Sequence, residues 1–249
     1  MEVHHHPHVE KKSFKEYLLE GLMIFIAVSM GFIAENIREN LVNKEKEHHY
    51  AESLYTDLKT DEAKLPFLIR WLSKQIKESD SLFVLLNKTP DQNEIKSIYT
   101  MFRDLERGLG IELFITNRTI TQLNSTGDFR LIKHKNVSDG ISDYYKSIDE
   151  VSYLQKIAHE IKGSGFQILP SIMSANDYHA VIDSSDNIVT PNYNLRIDLS
   201  NKEALNKLLF RVSEIKGISS SIRNEIMEIK TMSTNLRNTV QKEYHLEKE

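Results

Sequence analysis

From Ser200 onward the apolar positions recur at an alternating three–four step. Leu205, Leu208, Val212, Ile215, Ile222, Ile226, Ile229, Leu236 and Val240 follow it, with Ser219 and Ser233 at the two gaps. This spacing predicts a coiled-coil-like helix of about forty residues. Ser200 and Glu203 suit a capping box at its start, and Gly217 with the serines after it marks a place for a bend. So long a helix needs a long partner, and the helix that follows the apolar opening of the chain is the expected one.

That opening, "YLLEGLMIFIAVSMGFIAENI" from Tyr17 to Ile37, has no polar face. Gly21 to Ala34 is free of formal charge, and Ser29 is its one side-chain hydrogen-bonding group. The charge-free part covers ~21 Å as a helix, against ~30 Å of hydrocarbon. Tyr17, Leu18 and Leu19 extend it backward to about 27 Å, with Glu20 near enough to the end to reach headgroups. A cleaved signal fits less well, because a cut after Ala34 would leave Phe32 at the −3 position. A membrane anchor over 17–37 is therefore expected. Lys11, Lys12 and Lys15 before it tie with Arg38, Lys44 and Lys46 after it. A short basic N-terminus stays in the cytoplasm, which places the C-terminal part in the periplasm of an inner-membrane, single-pass protein. Ala27, Gly31 and Ala34 make a small-residue face on which two such helices could pack.

The helical pattern continues past the span, with Ile33, Ile37 and Leu41, then Tyr50, Leu54 and Leu58, and predicts one helix as far as Pro66. "PFLIRWLSKQIKESDSLFVLLN" reads as a second, amphipathic helix. A third starts with Thr89 as N-cap, Pro90 in its first position and Gln92 completing a capping box, and Gly108 and Gly110 close it. "IELFITNRTITQLN" reads as a fourth, ending at Gly127 in the left-handed conformation. Leu123, Leu131 and Ile132 can close over that turn. The next helix carries Ile141, Tyr144, Ile148, Val151 and Leu154 on one stripe, presenting Tyr144 to the seam and Tyr145 to its edge. Residues 164–199 lose the period and are rich in Ser, Asn and Asp, so a surface excursion holding a short helix or strand is expected. The domain plan is thus a His- and Lys-containing tail at 1–16, an anchor at 17–37 and a helical soluble domain at 38–249. The fold class is all-α: a transmembrane helix leading into an elongated bundle.

Composition agrees with helices: of 249 residues, nine are Gly and five Pro, and 27% are charged with mixed signs. A net charge of −4 gives no field for a nucleic-acid partner. The absence of cysteine excludes disulfides, thiolate metal sites and a Cys nucleophile.

Two stretches together, "EGLMIFIAVSMGFIAENIRE…YAESLYTDLKTDEAKL" and "TITQLNSTGDFRLIKHKNVSDGISDYY", resemble a family of bacterial single-pass membrane proteins known as a domain of unknown function. The likeness covers residues 15 to about 150, and "EVHHHPH" also resembles the family's start. It implies an anchor, a charged helix of SLxxDLxxD form, and a glycine-centred helix pair ending in Tyr-Tyr. It implies no activity.

Motif chemistry is sparse. The histidines of "HHHPH" at 4–8 could hold a transition metal only loosely, with no carboxylate beside them. "HEIKG" at His159 lacks the second histidine of a zinc-protease helix, since position 163 is Gly163. His179 with Asp177, Asp183 and Asp186 is the one His–carboxylate concentration in a loop, and a hydrolytic or metal site there is the enzyme alternative. The leading expectation is a binding or structural module without catalytic activity or cofactor. Its partners would be the lipid bilayer and a protein or a second copy of itself. Gly127, Tyr144 and Tyr145, and the loop with Asp177, His179 and Asp183, are the expected interaction surface. A soluble cytoplasmic adaptor is a further alternative, and requires residues 17–37 to be a core helix.

Overall fold

A computed structural model describes residues 13–107 and 113–247. The histidines at 4–8, Lys11, Lys12, Gly108 and Gly110 lie outside the described residues. Residues 1–50 and 51–249 form separate compact units. Among the described residues the elements are α1 (Phe14–Leu86), α2 (Gln92–Arg107), α3 (Arg118–Thr126), α4 (Lys135–Phe166), α5 (Ala175–Ala180) and α6 (Lys202–Glu243). Short 3₁₀ turns at Asp128–Leu131 and Leu169–Ser171 complete them, and no strand forms among the described residues beyond two isolated bridges. The protein is all-α.

In the first unit the apolar stretch lies open. Phe25 is 69% exposed and Phe32 73%. The most apolar eighteen-residue window has a mean hydropathy of 2.0, and none of it is buried inside the protein. A core helix would have its apolar side chains covered. Among the described residues one helix, α1, is therefore long and apolar enough to cross a membrane, and its apolar window has no place in the core.

α1 does not stop at Pro66 but runs through it to Leu86. The proline forfeits one backbone hydrogen bond, at a cost of ~3 kcal/mol. Leu58, Leu65 and Leu72 fall at seven-residue steps on either side of it and are all buried. Each contributes roughly 1.5–3 kcal/mol by leaving water, so keeping that stripe in one line outweighs the proline. α2 begins later than the Thr89 cap predicts. Asp91 accepts the Glu94 amide at 2.9 Å while Glu94 accepts the Asp91 amide at 3.0 Å. The reciprocal box thus belongs to Asp91 and Glu94 rather than to Thr89 and Gln92, since Asp and Glu are the stronger acceptors. α6 likewise starts on Asn201, whose side chain accepts the Ala204 amide at 3.1 Å, and Ser200 turns back to Asp198 instead.

α4 and α6 pack along each other. Gly140 meets Leu236 and Gly165 meets Arg211, so they run antiparallel. The pairings of Asp61 with Tyr144 and Gln75 with Lys162 advance together, so α1 and α4 run parallel. α6 returns along α1 as well, through Arg237 to Glu62 at 2.8 Å and Lys216 to Asp80 at 2.6 Å. The expected partner of α6 is thus present, and α6 packs against α4 as well. Every apolar position of the α6 repeat is buried, and so are Ser219 and Ser233 at its gaps.

Residues 164–199 hold the expected short helix, α5, but are tied into the core rather than confined to the surface. Helix α4 carries on to Phe166, and Leu169, Ile172, Met173, Val181 and Leu195 join one core with Tyr99, Phe102, Leu208 and Val212. The apolar residues here arrive singly from turns, which leaves no period to read.

Candidate functional site

The glycine-centred turn forms as its sequence demands. Gly127 adopts φ 70°, a conformation open to glycine, and its amide reaches the Asn124 carbonyl at 3.3 Å. Leu123, Leu131 and Ile132 are buried around it, Tyr144 is fully buried and Tyr145 half-buried. The two tyrosine rings meet edge to face at 5.2 Å.

What the turn presents is a buried polar junction built on two aspartates of α1. Asp57 and Asp61 lie one turn apart, each 1% exposed. Asp57 accepts the Thr119 amide at 3.1 Å, the Thr119 hydroxyl at 2.5 Å and the Arg118 guanidinium at 2.8 Å. Asp61 accepts the Thr116 amide and hydroxyl at 2.9 and 2.8 Å and the Tyr144 hydroxyl at 3.1 Å. Tyr145 donates to the Thr116 carbonyl at 3.2 Å. These bonds explain why α3 starts only at Arg118: donors of the preceding segment are held by side chains of α1. Burial pushes the Asp61 carboxyl up against the lowering effect of its hydrogen bonds, and pushes both tyrosine hydroxyls up. With each carboxylate oxygen accepting a hydrogen bond, the junction staples α3 and α4 to α1.

The loop residues do not converge. Asp177 is buried and accepts the Arg196 amide at 2.9 Å, with the Arg196 Nε at 3.4 Å. Asp183 is exposed and closes its own turn on the amides of Ser185 and Asn187 at 2.9 and 2.8 Å, bonds to Asn187 first among those that hold its carboxyl below the usual range. Asp186 pairs with Arg107 at 3.2 Å. His179 is exposed, with each of these carboxylates committed elsewhere.

His179 instead borders a cleft of about 230 Å³ between α2 and α5. Phe166, Leu169, Pro170 and Met173 supply its apolar lining. Its polar wall is built on Arg103, Glu106 and Tyr178. The Arg103 guanidinium lies 3.6 Å from the Tyr178 ring centroid and donates twice to the Tyr178 carbonyl, at 3.1 and 2.7 Å. Glu106 accepts from Arg103 at 2.7 Å and from the Tyr178 hydroxyl at 2.9 Å. Three of the five Arg103 N–H donors are engaged in this way, and His179 stands exposed at the edge of the cleft.

Two further polar groups lie inside the bundle. Lys162 is 4% exposed, donates to Gln75 at 2.7 Å, and burial lowers its ammonium to about 8. Glu78 of α1 stands beside Asp104 of α2, and burial together with that neighbouring carboxylate raises it to about 7. Lys74 bridges the two acids. The aspartates and Lys162 were within reach of the sequence, for each falls on an apolar stripe where a charge is out of place. Arg103 and Glu106 gave no such signal, because their partner Tyr178 lies in the segment without a period.

Ala27, Gly31 and Ala34 are exposed, and a side chain at Gly31 would meet nothing within 4 Å. Among the described residues no cluster of metal-ligating side chains occurs. No protein-family model, curated protein or solved structure matches the chain.

Proposed function

We propose that this chain is a membrane-anchored helical protein that works as a binding or structural module, its anchor in keeping with the family that residues 15 to about 150 resemble. Residues 17–37 would cross the inner membrane once, with the N-terminus in the cytoplasm and residues 38–249 in the periplasm. The observation that carries this reading is the wholly uncovered apolar window in α1, which in water would be a large liability. The bundle would meet a protein partner or a second copy of the chain. A coiled-coil-like association of α6 is part of this reading, supported by its alternating buried step. The hydrolytic alternative at His179 draws nothing from the geometry, since Asp177, Asp183 and Asp186 are held by other groups.

An alkaline phosphatase fusion at Glu249 tests the anchor and its direction together. Active enzyme on an uncleaved, membrane-retained product is the expected result. Inactive enzyme would put the bundle in the cytoplasm, and a shortened, soluble product would make residues 17–37 a cleaved signal.

A further inference from the structure

Lys162 of α4 and Gln75 of α1 meet inside the bundle, and both are buried, at 4% and 1% exposed. The Lys162 ammonium donates to Gln75 Oε1 at 2.7 Å. Its Nζ also lies 5.1 Å from the ring centroid of Trp71, which is half-buried and one turn before Gln75 on α1. Gln75 accepts one of the three ammonium protons and brings no charge to meet it. The other end of the same amide, Gln75 Nε2, is buried and has no hydrogen-bond partner. Turning the amide over does not help, since that would set two donors face to face.

A buried donor without an acceptor is costly, and this one stands beside a buried cation. The O and N of one amide are about 2.3 Å apart, so Gln75 Nε2 and Lys162 Nζ lie within about 5 Å of each other. One acceptor can serve both. A water would take both protons, but it has two of its own to place and leaves the charge unmatched. A small anion accepts from both and carries the matching charge. The indole suits that arrangement, for its negative face meets the ammonium and its positive edge tolerates an anion. Burial lowers the ammonium only to about 8, which keeps it charged at neutral pH.

We propose that Gln75 Nε2 and Lys162 Nζ together hold a monovalent anion of halide size, chloride, beside Trp71. The ion is a structural part of the α1–α4 contact: it satisfies the orphan amide and offsets the charge of Lys162. All three residues belong to the 51–249 unit, so the site does not depend on how the chain is anchored.

Trp71 is the one tryptophan of the chain, so tryptophan emission reports on this site alone. The test is titration of the full chain in detergent, at neutral pH, with iodide, a heavy halide that quenches indole. Gluconate holds the ionic strength constant. The expected result is quenching that saturates and that chloride competes away. Lys162→Met removes the cation at nearly the same shape, and Gln75→Glu gives the ammonium a carboxylate of its own. Each should lose the saturable part. Both should fold, because an apolar side chain in place of a buried charge is tolerated and a paired charge is better placed than an unmatched one. Acrylamide, a neutral quencher, should act alike on all three proteins. Chloride in place of gluconate should raise the melting temperature of the parent and leave that of both variants unchanged. Quenching that rises linearly with iodide and ignores chloride would overturn the proposal and leave a bridging water only. Saturable quenching that survives in Lys162→Met would put the ion elsewhere, and the assignment to Gln75 and Lys162 would be wrong.

Discussion

Asp57 of α1 holds Thr119 at the start of α3 by two bonds at once, taking the hydroxyl at 2.5 Å and the amide at 3.1 Å. One turn on, Asp61 does the same for Thr116 and adds Tyr144 of α4. The charged helix and the glycine-centred pair, which look unrelated along the chain, are two halves of a single buried junction.

Removing either carboxylate should therefore cost far more than a surface charge. Asp61→Ala strands a buried tyrosine hydroxyl and a backbone amide, and should destabilise by about 2–4 kcal/mol. Tyr144→Phe removes one bond and leaves Asp61 its threonine donors, so about 1 kcal/mol is expected. Asp57→Ala and Asp61→Ala combined should cost less than the sum of the two, because both hold the same segment. Urea unfolding of the parent and the four variants measures this. Additive losses would mean that the aspartates act independently.

Two glycines inside helices should respond in opposite directions. A Cβ at Gly217 meets nothing within 4 Å, whereas one at Gly140 would come to 2.8 Å from Leu236 Cδ1. Gly217→Ala should raise stability by about 0.5–1 kcal/mol through helix propensity. Gly140→Leu should lower it by about 1–3 kcal/mol, since Leu236 is 4% exposed and has little space to yield. Thermal melting separates the two. A Gly140→Leu variant as stable as the parent would show that the α4–α6 contact is looser than drawn.

How much of this was legible in the sequence follows from where period exists. The α6 stripe reads correctly down to Ser219 and Ser233, because a long helix buries one face and the step reports it. Gly127 was legible for a different reason, since a left-handed helix end selects glycine. Pro66 misled, because its cost is local and countable whereas the leucines outweighing it are spread over the bundle. The 164–199 segment misled for the converse reason: its apolar residues are committed one at a time by turns. The loop histidine and aspartates looked like a site because composition places residues near one another along the chain and is silent on direction. The structure turns Asp177 to Arg196 and Asp183 to its own turn.

That difference between two neighbouring aspartates is measurable. Asp177→Ala should cost about 1–3 kcal/mol, because it is buried and leaves the Arg196 amide without its acceptor. Asp183→Ala, at an exposed turn, should stay within about 1 kcal/mol. His179→Ala should leave stability unchanged. If Asp177→Ala and His179→Ala instead kept the parent melting curve and abolished a hydrolytic activity, the catalytic alternative would replace the binding one.

The carboxylate pair between α1 and α2 gives stability a pH dependence with a definite sign. Glu78 ordinarily ionises near 4.5, and in the fold burial and the Asp104 carboxylate raise it to about 7. Between those values the folded state holds a proton that the unfolded chain has released. Stability contributed by the protonated form is present below pH 4.5 and is lost as pH rises through 7. Glu78→Gln keeps the shape of the protonated acid and removes the titration. It should match the parent near pH 4.5 and exceed it at pH 8 by on the order of 1 kcal/mol. Lys162 supplies the opposite slope at higher pH. Its ammonium, lowered from 10.5 to about 8, is released in the fold while the unfolded chain still holds it, so stability rises between those values. Following the difference between parent and Glu78→Gln from pH 4.5 to 8 isolates the carboxylate, because Lys162 is common to both proteins. A difference that stays flat across that range would mean that Glu78 ionises in the fold as it does in water.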